Sequence, residues 1–269
     1  MRTMTKFAVA ASLAISAMSV ATSASALVFA SWFQTGDDKI VWNRTDAGTL
    51  KNGALYSSNT AYVINSSTAS PIATNFSFIN YLPLSGMSNL ASTLQLAGTE
   101  TGTPVSISGT QLTQTAINGT FNFVYTGPTF TTGNNVLVTT GDNLLSGTFT
   151  NAFITGVKGG NFATFNAAQP LQVVTFQSDF LNLANSYGRT IAMDLNRVFP
   201  SRSNVANFGG PANPNFNNRA LADFRALGSG TFAAGAIPEP ATWGLMILGF
   251  GGAGVMLRSN RRRMVAVTA

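Results

Sequence analysis

The sequence predicts an all-β protein: a single antiparallel β-sandwich, flanked by an N-terminal signal helix and a C-terminal transmembrane helix. Three observations support this prediction. The central part of the chain is rich in Thr and Phe, which favour strands, and in Asn and Gly, which favour turns. Short runs with strand character recur there between turn signals, about a dozen in all. Each end of the chain carries an apolar run next to basic residues.

The N-terminal element has the features of a secretory signal. Two basic residues precede an apolar run at 7–20, which is too short to span a bilayer comfortably. Ala24 and Ala26 then supply the small-x-small pattern that signal peptidase accepts. We therefore expect residues 1–26 to be a signal peptide for Sec export, cleaved after Ala26.

The next element is the predicted exported domain, residues 27–236. Phe121 and Phe123 are separated by one residue, which is the alternation of a half-buried strand, and 72–79 shows the same period. No repeat of fixed period is present, so we expect one sandwich rather than a solenoid. Jelly-roll and immunoglobulin-like topologies are both open at this stage. The Pro- and Asn-rich stretch 200–218 is expected to be a long loop.

Composition excludes several functional classes for this domain. The chain contains no His and no Cys, so a Ser-His-Asp hydrolase, a cysteine protease and a His-ligated metalloenzyme are all excluded. The net charge of +6 comes mainly from the two ends, because residues 27–236 hold nine basic and eight acidic side chains. This balance is unlike the clustered basic surface of a nucleic-acid-binding domain. We expect no nucleic-acid partner.

The acidic residues offer few candidates for chemistry. Glu100 is the only Glu in the domain and is expected in a loop. Asp37, Asp38 and Asp46 form the densest acidic cluster, but they lack the Asp-x-Asp-x-Asp spacing and the closing Glu of a calcium loop. We interpret them as solvated turn residues. The sequence thus predicts no enzyme, no catalytic residue, no cofactor and no metal site.

The C-terminal element combines a short motif, an apolar span and a basic run. Pro238, Glu239 and Pro240 precede residues 241–257, which carry no formal charge and would measure about 25 Å as a helix. Trp243 stands near the start of this span, where an indole prefers the membrane interface. Four arginines follow it and are expected to stay in the cytoplasm and stop transfer: Arg258, Arg261, Arg262 and Arg263.

This arrangement resembles the PEP-CTERM sorting signal of Gram-negative bacteria, in its PEPxxWA variant. The matching parts are the Pro-Glu-Pro motif with its tryptophan, the glycine-rich span and the basic run, together at 237–263, and a short tail at 264–269 extends beyond them. The resemblance implies recognition by an exosortase, a membrane-embedded cysteine transpeptidase that is thought to cut near the motif. The implied product starts as an inner-membrane intermediate and ends at the cell surface or outside the cell. The resemblance also implies a bacterium that makes exopolysaccharide, a candidate partner.

We therefore expect an exported, non-enzymatic protein of the cell surface or biofilm matrix. One alternative is a carbohydrate-binding module whose aromatic rings stack on sugars. Its candidate rings are Trp32, Trp42, Tyr56 and Tyr62. Another alternative is ice binding through threonine arrays, for which 129–131 and 148–150 supply two Thr-x-Thr units.

Overall fold

The computed structural model describes residues 26–37, 39–45, 52–60, 68–79, 87–100, 102–184, 186–200 and 220–235. Within these ranges, no helix has the length and apolar character needed to cross a membrane. The predicted signal helix and transmembrane helix fall outside the described residues, as does the predicted loop at 200–218 apart from Pro200, which ends a strand.

Fourteen strands make up the described structure. In chain order they are β1 (Leu27–Gln34), β2 (Lys39–Arg44), β3 (Gly53–Ser58), β4 (Ile72–Phe78), β5 (Leu90–Glu100), β6 (Ser106–Ser108), β7 (Gln111–Tyr125), β8 (Phe130–Thr131), β9 (Leu137–Val138), β10 (Asn143–Val157), β11 (Phe162–Ala168), β12 (Val173–Gln177), β13 (Tyr187–Pro200) and β14 (Phe224–Gly235).

Twelve of the strands form one antiparallel sheet whose ladders close on themselves. Around the ring the order is β1, β4, β5, β7, β10, β11, β13 and β14, and β14 pairs again with β1. β2 and β3 form a second link between β14 and β5, while β6 adds to β7 and β12 to β10. β8 and β9 form a separate two-stranded sheet. The prediction of an all-β, antiparallel domain is confirmed.

An aromatic cluster fills the interior of this ring. The ring of Phe123 on β7 contacts Phe76 on β4 at a centroid distance of 5.1 Å and Trp32 on β1 at 5.4 Å. Phe121 stacks on Phe232 of β14 at 5.2 Å. These side chains meet because alternate residues of a strand point to the same face, so each strand contributes every second residue to the core. Burial of such large apolar surfaces is the main driving force for the fold.

Two glycines allow neighbouring strands to approach each other. A Cβ added at Gly119 on β7 would lie 2.2 Å from the carbonyl oxygen of Ala97 on β5. A Cβ added at Gly147 on β10 would lie 1.9 Å from the carbonyl oxygen of Thr175 on β12. Both positions therefore require a residue without a side chain, because the partner backbone occupies the space.

Candidate functional site

The two ends of the described domain lie side by side. β1 begins at Leu27, directly after the predicted cleavage site at Ala26, and β14 ends at Gly235. In the ladder between these strands, Leu27 is the register partner of Ala234. The chain therefore enters and leaves the domain at the same end of the sheet.

The strand that leads to the C-terminal segment is held along both of its edges. β14 pairs with β13 on one side, and on the other side it pairs first with β2 and then with β1. Its Phe232 is 2% exposed and packs in the aromatic core. The last strand before the C-terminal segment is thus an integral part of the domain and not a detachable edge.

The predicted sorting residues belong to segments outside the described residues. These are Ala24 of the signal cleavage site, Pro238, Glu239, Pro240 and Trp243 of the sorting motif, and Arg258, Arg261, Arg262 and Arg263 of the basic run. They remain predictions from the sequence. The described structure shows only where the chain leads into them.

The aromatic residues expected to bind sugars are in the core. Trp32, Trp42 and Tyr56 are 4%, 0% and 3% exposed, and the indole nitrogen of Trp42 donates to the carbonyl oxygen of Leu221 at 2.8 Å. Tyr62 lies outside the described residues. The prediction that Trp32, Trp42 and Tyr56 stack on sugar rings is therefore wrong. Their large apolar surfaces are more stable when they are packed away from water.

The threonine units proposed for ice binding lie in different sheets. Thr131 is in β8, whereas Thr148 and Thr150 are in β10 of the large sheet. The hydroxyl groups of Thr148 and Thr175 are 2.8 Å apart and pair with each other. The two units do not combine into one flat array, which removes the basis on which ice binding was considered.

The acidic residues show no metal site in the described part of the chain. Asp37 is exposed in the bend after β1, whereas Asp38 and Asp46 lie outside the described residues. No group of three or more Asp, Glu, His or Cys side chains that could hold a metal ion is found among the residues described.

Glu100 lies in a strand and not in the loop that the sequence predicted. It is the last residue of β5, and its side chain is buried. The backbone N–H of Thr103 donates to Oε1, while Oε2 has no hydrogen-bond partner among the described residues. Burial raises the pKa of the Glu100 carboxyl above its ordinary value of 4.5, because desolvation disfavours the charged form more than the Thr103 hydrogen bond favours it.

A polar groove that the sequence analysis missed crosses the outer face of β7, β10 and β12. It is open to solvent and has a volume of about 440 Å³. Two rows of side chains cross the three strands in register: Asn122, Ser146 and Gln177 in one row, and Thr120, Thr148 and Thr175 in the other. None of the described residues that line the groove is charged.

The groove contains two amide oxygens that lack hydrogen bonds. Oδ1 of Asn122 and Oδ1 of Asn143 are both buried, and neither has a partner among the described residues. The amide nitrogen of Asn143 does form a hydrogen bond, because Nδ2 donates to Oγ of Ser146 at 2.9 Å. An unpaired buried acceptor costs about 1–3 kcal/mol. Two such acceptors in one groove mark it as a place where hydrogen-bond donors from a ligand could be accommodated.

The sequence signal for this groove was present but ambiguous. Polar residues alternate with large apolar residues along β7 and β10, which predicts an exposed face on each strand. Alternation does not indicate which exposed faces are adjacent. That arrangement depends on the pairing of β10 with β7 on one edge and with β12 on the other.

Comparison with known proteins identifies the C-terminal segment. Residues 236–263 match the family model for the PEP-CTERM protein-sorting motif, which confirms the resemblance seen in the sequence. No curated protein and no solved structure matches the chain. The all-β domain is thus joined to a sorting signal. This signal indicates a protein that is exported toward the cell surface and processed by an exosortase.

Proposed function

We propose that this protein is a non-enzymatic component of the cell surface or of the extracellular matrix, delivered there by exosortase-dependent sorting. The observation that carries the proposal is the sorting motif at 236–263, which starts directly after β14 ends at Gly235. The predicted signal peptide at the other end of the chain gives the same direction of export.

The topology of the domain supports a defined order of events. One edge of β1 pairs with β4 and the other pairs with β14. The ring therefore closes only after residues up to Gly235 have reached the exported side. The apolar span and the four arginines that follow would hold the chain in the membrane at that stage. The exosortase would then cut near Pro238, Glu239 and Pro240, beside an already folded domain.

Composition supports a role without catalysis. Neither His nor Cys is available as a base or nucleophile anywhere in the sequence. The single Glu of the domain, Glu100, is enclosed at the end of β5, where a substrate has no access to it. We therefore propose a structural or binding role with no cofactor. Exopolysaccharide is the proposed partner, and a jelly-roll or immunoglobulin-like sandwich is the finer proposal for the fold.

The sorting proposal is tested by the intact mass of the mature protein. In cells that contain the exosortase, the exported protein should lack most of residues 241–269. Replacing Glu239 and Pro240 together by Ala should leave export intact and keep the full-length chain in the membrane. Deleting the exosortase should have the same effect on the unaltered chain.

A matched control keeps this experiment specific. Replacing Val265 and Thr268 together by Ala changes the tail beyond the arginines, and processing should continue normally. If exported protein carries residues 241–269 both with and without the exosortase, the sorting proposal is wrong and the segment is a permanent anchor.

A further inference from the structure

We propose that the outer groove across β7, β10 and β12 binds an uncharged, polyhydroxylated ligand, namely a neutral stretch of polysaccharide. This inference rests on the exopolysaccharide partner given under the proposed function and assigns that partner a site and a chemical class. It does not depend on exosortase sorting, which concerns a different part of the chain.

The dimensions of the groove suit a chain-like ligand. Its volume of about 440 Å³ falls within the range of ~300–1,000 Å³ that is typical of small-ligand sites. It is open to solvent rather than enclosed, so a segment of a polymer could lie in it. Most of the lining residues belong to paired strands, which hold their side chains in fixed positions.

The chemistry of the lining matches sugar hydroxyl groups. Hydroxyl and amide groups both donate and accept hydrogen bonds, as the hydroxyl groups of a sugar do. The unpaired amide oxygens of Asn122 and Asn143 are acceptors that such hydroxyl groups could satisfy. The terminal torsion of Asn has a broad energy profile, so a small rotation could turn each amide toward a ligand.

The threonine row is already organised for binding. The hydroxyl groups of Thr148 and Thr175 are 2.8 Å apart, and the backbone N–H of Thr148 donates to Oγ1 of Thr175 at 2.9 Å. These bonds restrict both side chains before a ligand arrives, which lowers the entropic cost of binding. Gly141 also lines the groove and places no side chain there.

Charge favours a neutral ligand over an acidic one. None of the described lining residues supplies a positive charge to pair with a uronic acid. Asp179 accepts a hydrogen bond from the backbone N–H of the lining residue Asn143 at 2.8 Å. The carboxylate of Asp179 beside the groove would repel an acidic polysaccharide.

The test measures binding of the full-length chain, purified in detergent, to an array of neutral and uronic-acid-containing oligosaccharides. We expect binding to neutral members only. Asn122→Leu removes an unpaired acceptor and keeps the number and branching of the side-chain heavy atoms on an outward-facing position, so the fold should be retained. Thr148→Val removes a hydroxyl group without changing shape. Each variant should weaken binding by about tenfold or more, the effect of losing one or two hydrogen bonds.

Thr155→Val is the matched control. The Thr155 hydroxyl pairs with that of Thr113 at 3.2 Å on the same two strands, β10 and β7, but outside the groove. This variant should therefore lose a similar hydroxyl pair and keep full affinity. Circular dichroism verifies folding of all three variants, and if one of the groove variants unfolds, the other decides the result.

Three results would overturn the inference: no binding to any neutral oligosaccharide, a preference for uronic acids, or unchanged affinity in the folded groove variants. Exosortase processing of the same variants is measured separately by intact mass. Normal processing without sugar binding would exclude the groove site and leave the sorting proposal intact. Sugar binding without processing would support the groove site and contradict the sorting proposal.

Discussion

The buried carboxyl group of Glu100 makes the stability of the domain depend on pH. Below pH 4.5 the carboxyl is protonated in both the folded and the unfolded chain, so its burial carries no charge penalty. Burial raises the pKa of Glu100 in the folded state. As pH rises from 4.5 through that raised pKa, ionisation therefore favours the unfolded chain. The free energy of unfolding falls across this range and levels off once the carboxyl is ionised in both states.

We predict that Glu100→Gln removes this pH dependence. Gln keeps an oxygen that can accept from the N–H of Thr103 but carries no charge. The free energy of unfolding should be higher in the variant than in the original protein at neutral pH, and the difference should shrink toward pH 4.5. Urea unfolding at a series of pH values measures both quantities. A difference that stays constant across this range would contradict the prediction.

At the scale of the strands, the close approach of β7 to β5 depends on a glycine. Gly119 of β7 faces the backbone of β5, and a Cβ atom added to it would lie 2.2 Å from the carbonyl oxygen of Ala97. We predict that Gly119→Ala lowers the free energy of unfolding by about 1–3 kcal/mol, because β7 must shift away from β5. Thermal or urea unfolding provides the measurement.

Gly133→Ala is the control for this prediction. No heavy atom lies within 4 Å of the Cβ position at Gly133, so the added methyl group meets no obstacle. Its effect on stability should be small. Equal destabilisation by both substitutions would contradict the prediction, because restriction of the unfolded chain by Ala favours the folded state and cannot account for a loss of stability.

At the scale of the whole molecule, the ring closes through β14, so folding requires the chain up to the end of this strand. We predict that a chain ending at Gly235 folds, because it retains all of β14. A chain ending at Gly228 lacks the residues that pair with β1 and also lacks Phe232 of the core. It should lose cooperative unfolding, as measured by urea denaturation followed by fluorescence. Cooperative unfolding of the shorter chain would show that the β1–β14 ladder is dispensable.

Linear sequence was sufficient for the C-terminal sorting signal and for the secondary-structure class. A sorting motif is a short contiguous segment, so the Pro238–Pro240 motif can be identified without a fold, and the family match at 236–263 confirms it. The signal cleavage site at Ala24 and Ala26 stays a prediction. Strand character is also local, because side chains alternate with a period of two. Phe121 and Phe123 are indeed buried on the same face of β7.

Tertiary structure alone decides which strands meet and which faces point inward. The sequence shows an aromatic residue at Trp32 and at Trp42, but only the closed ring places both in the core. The groove has the same origin, since Thr120, Thr148 and Thr175 come from three strands and are aligned by their ladders. The physical reason is that strand pairing joins residues far apart in the chain, so alternation within one strand carries no information about its neighbours.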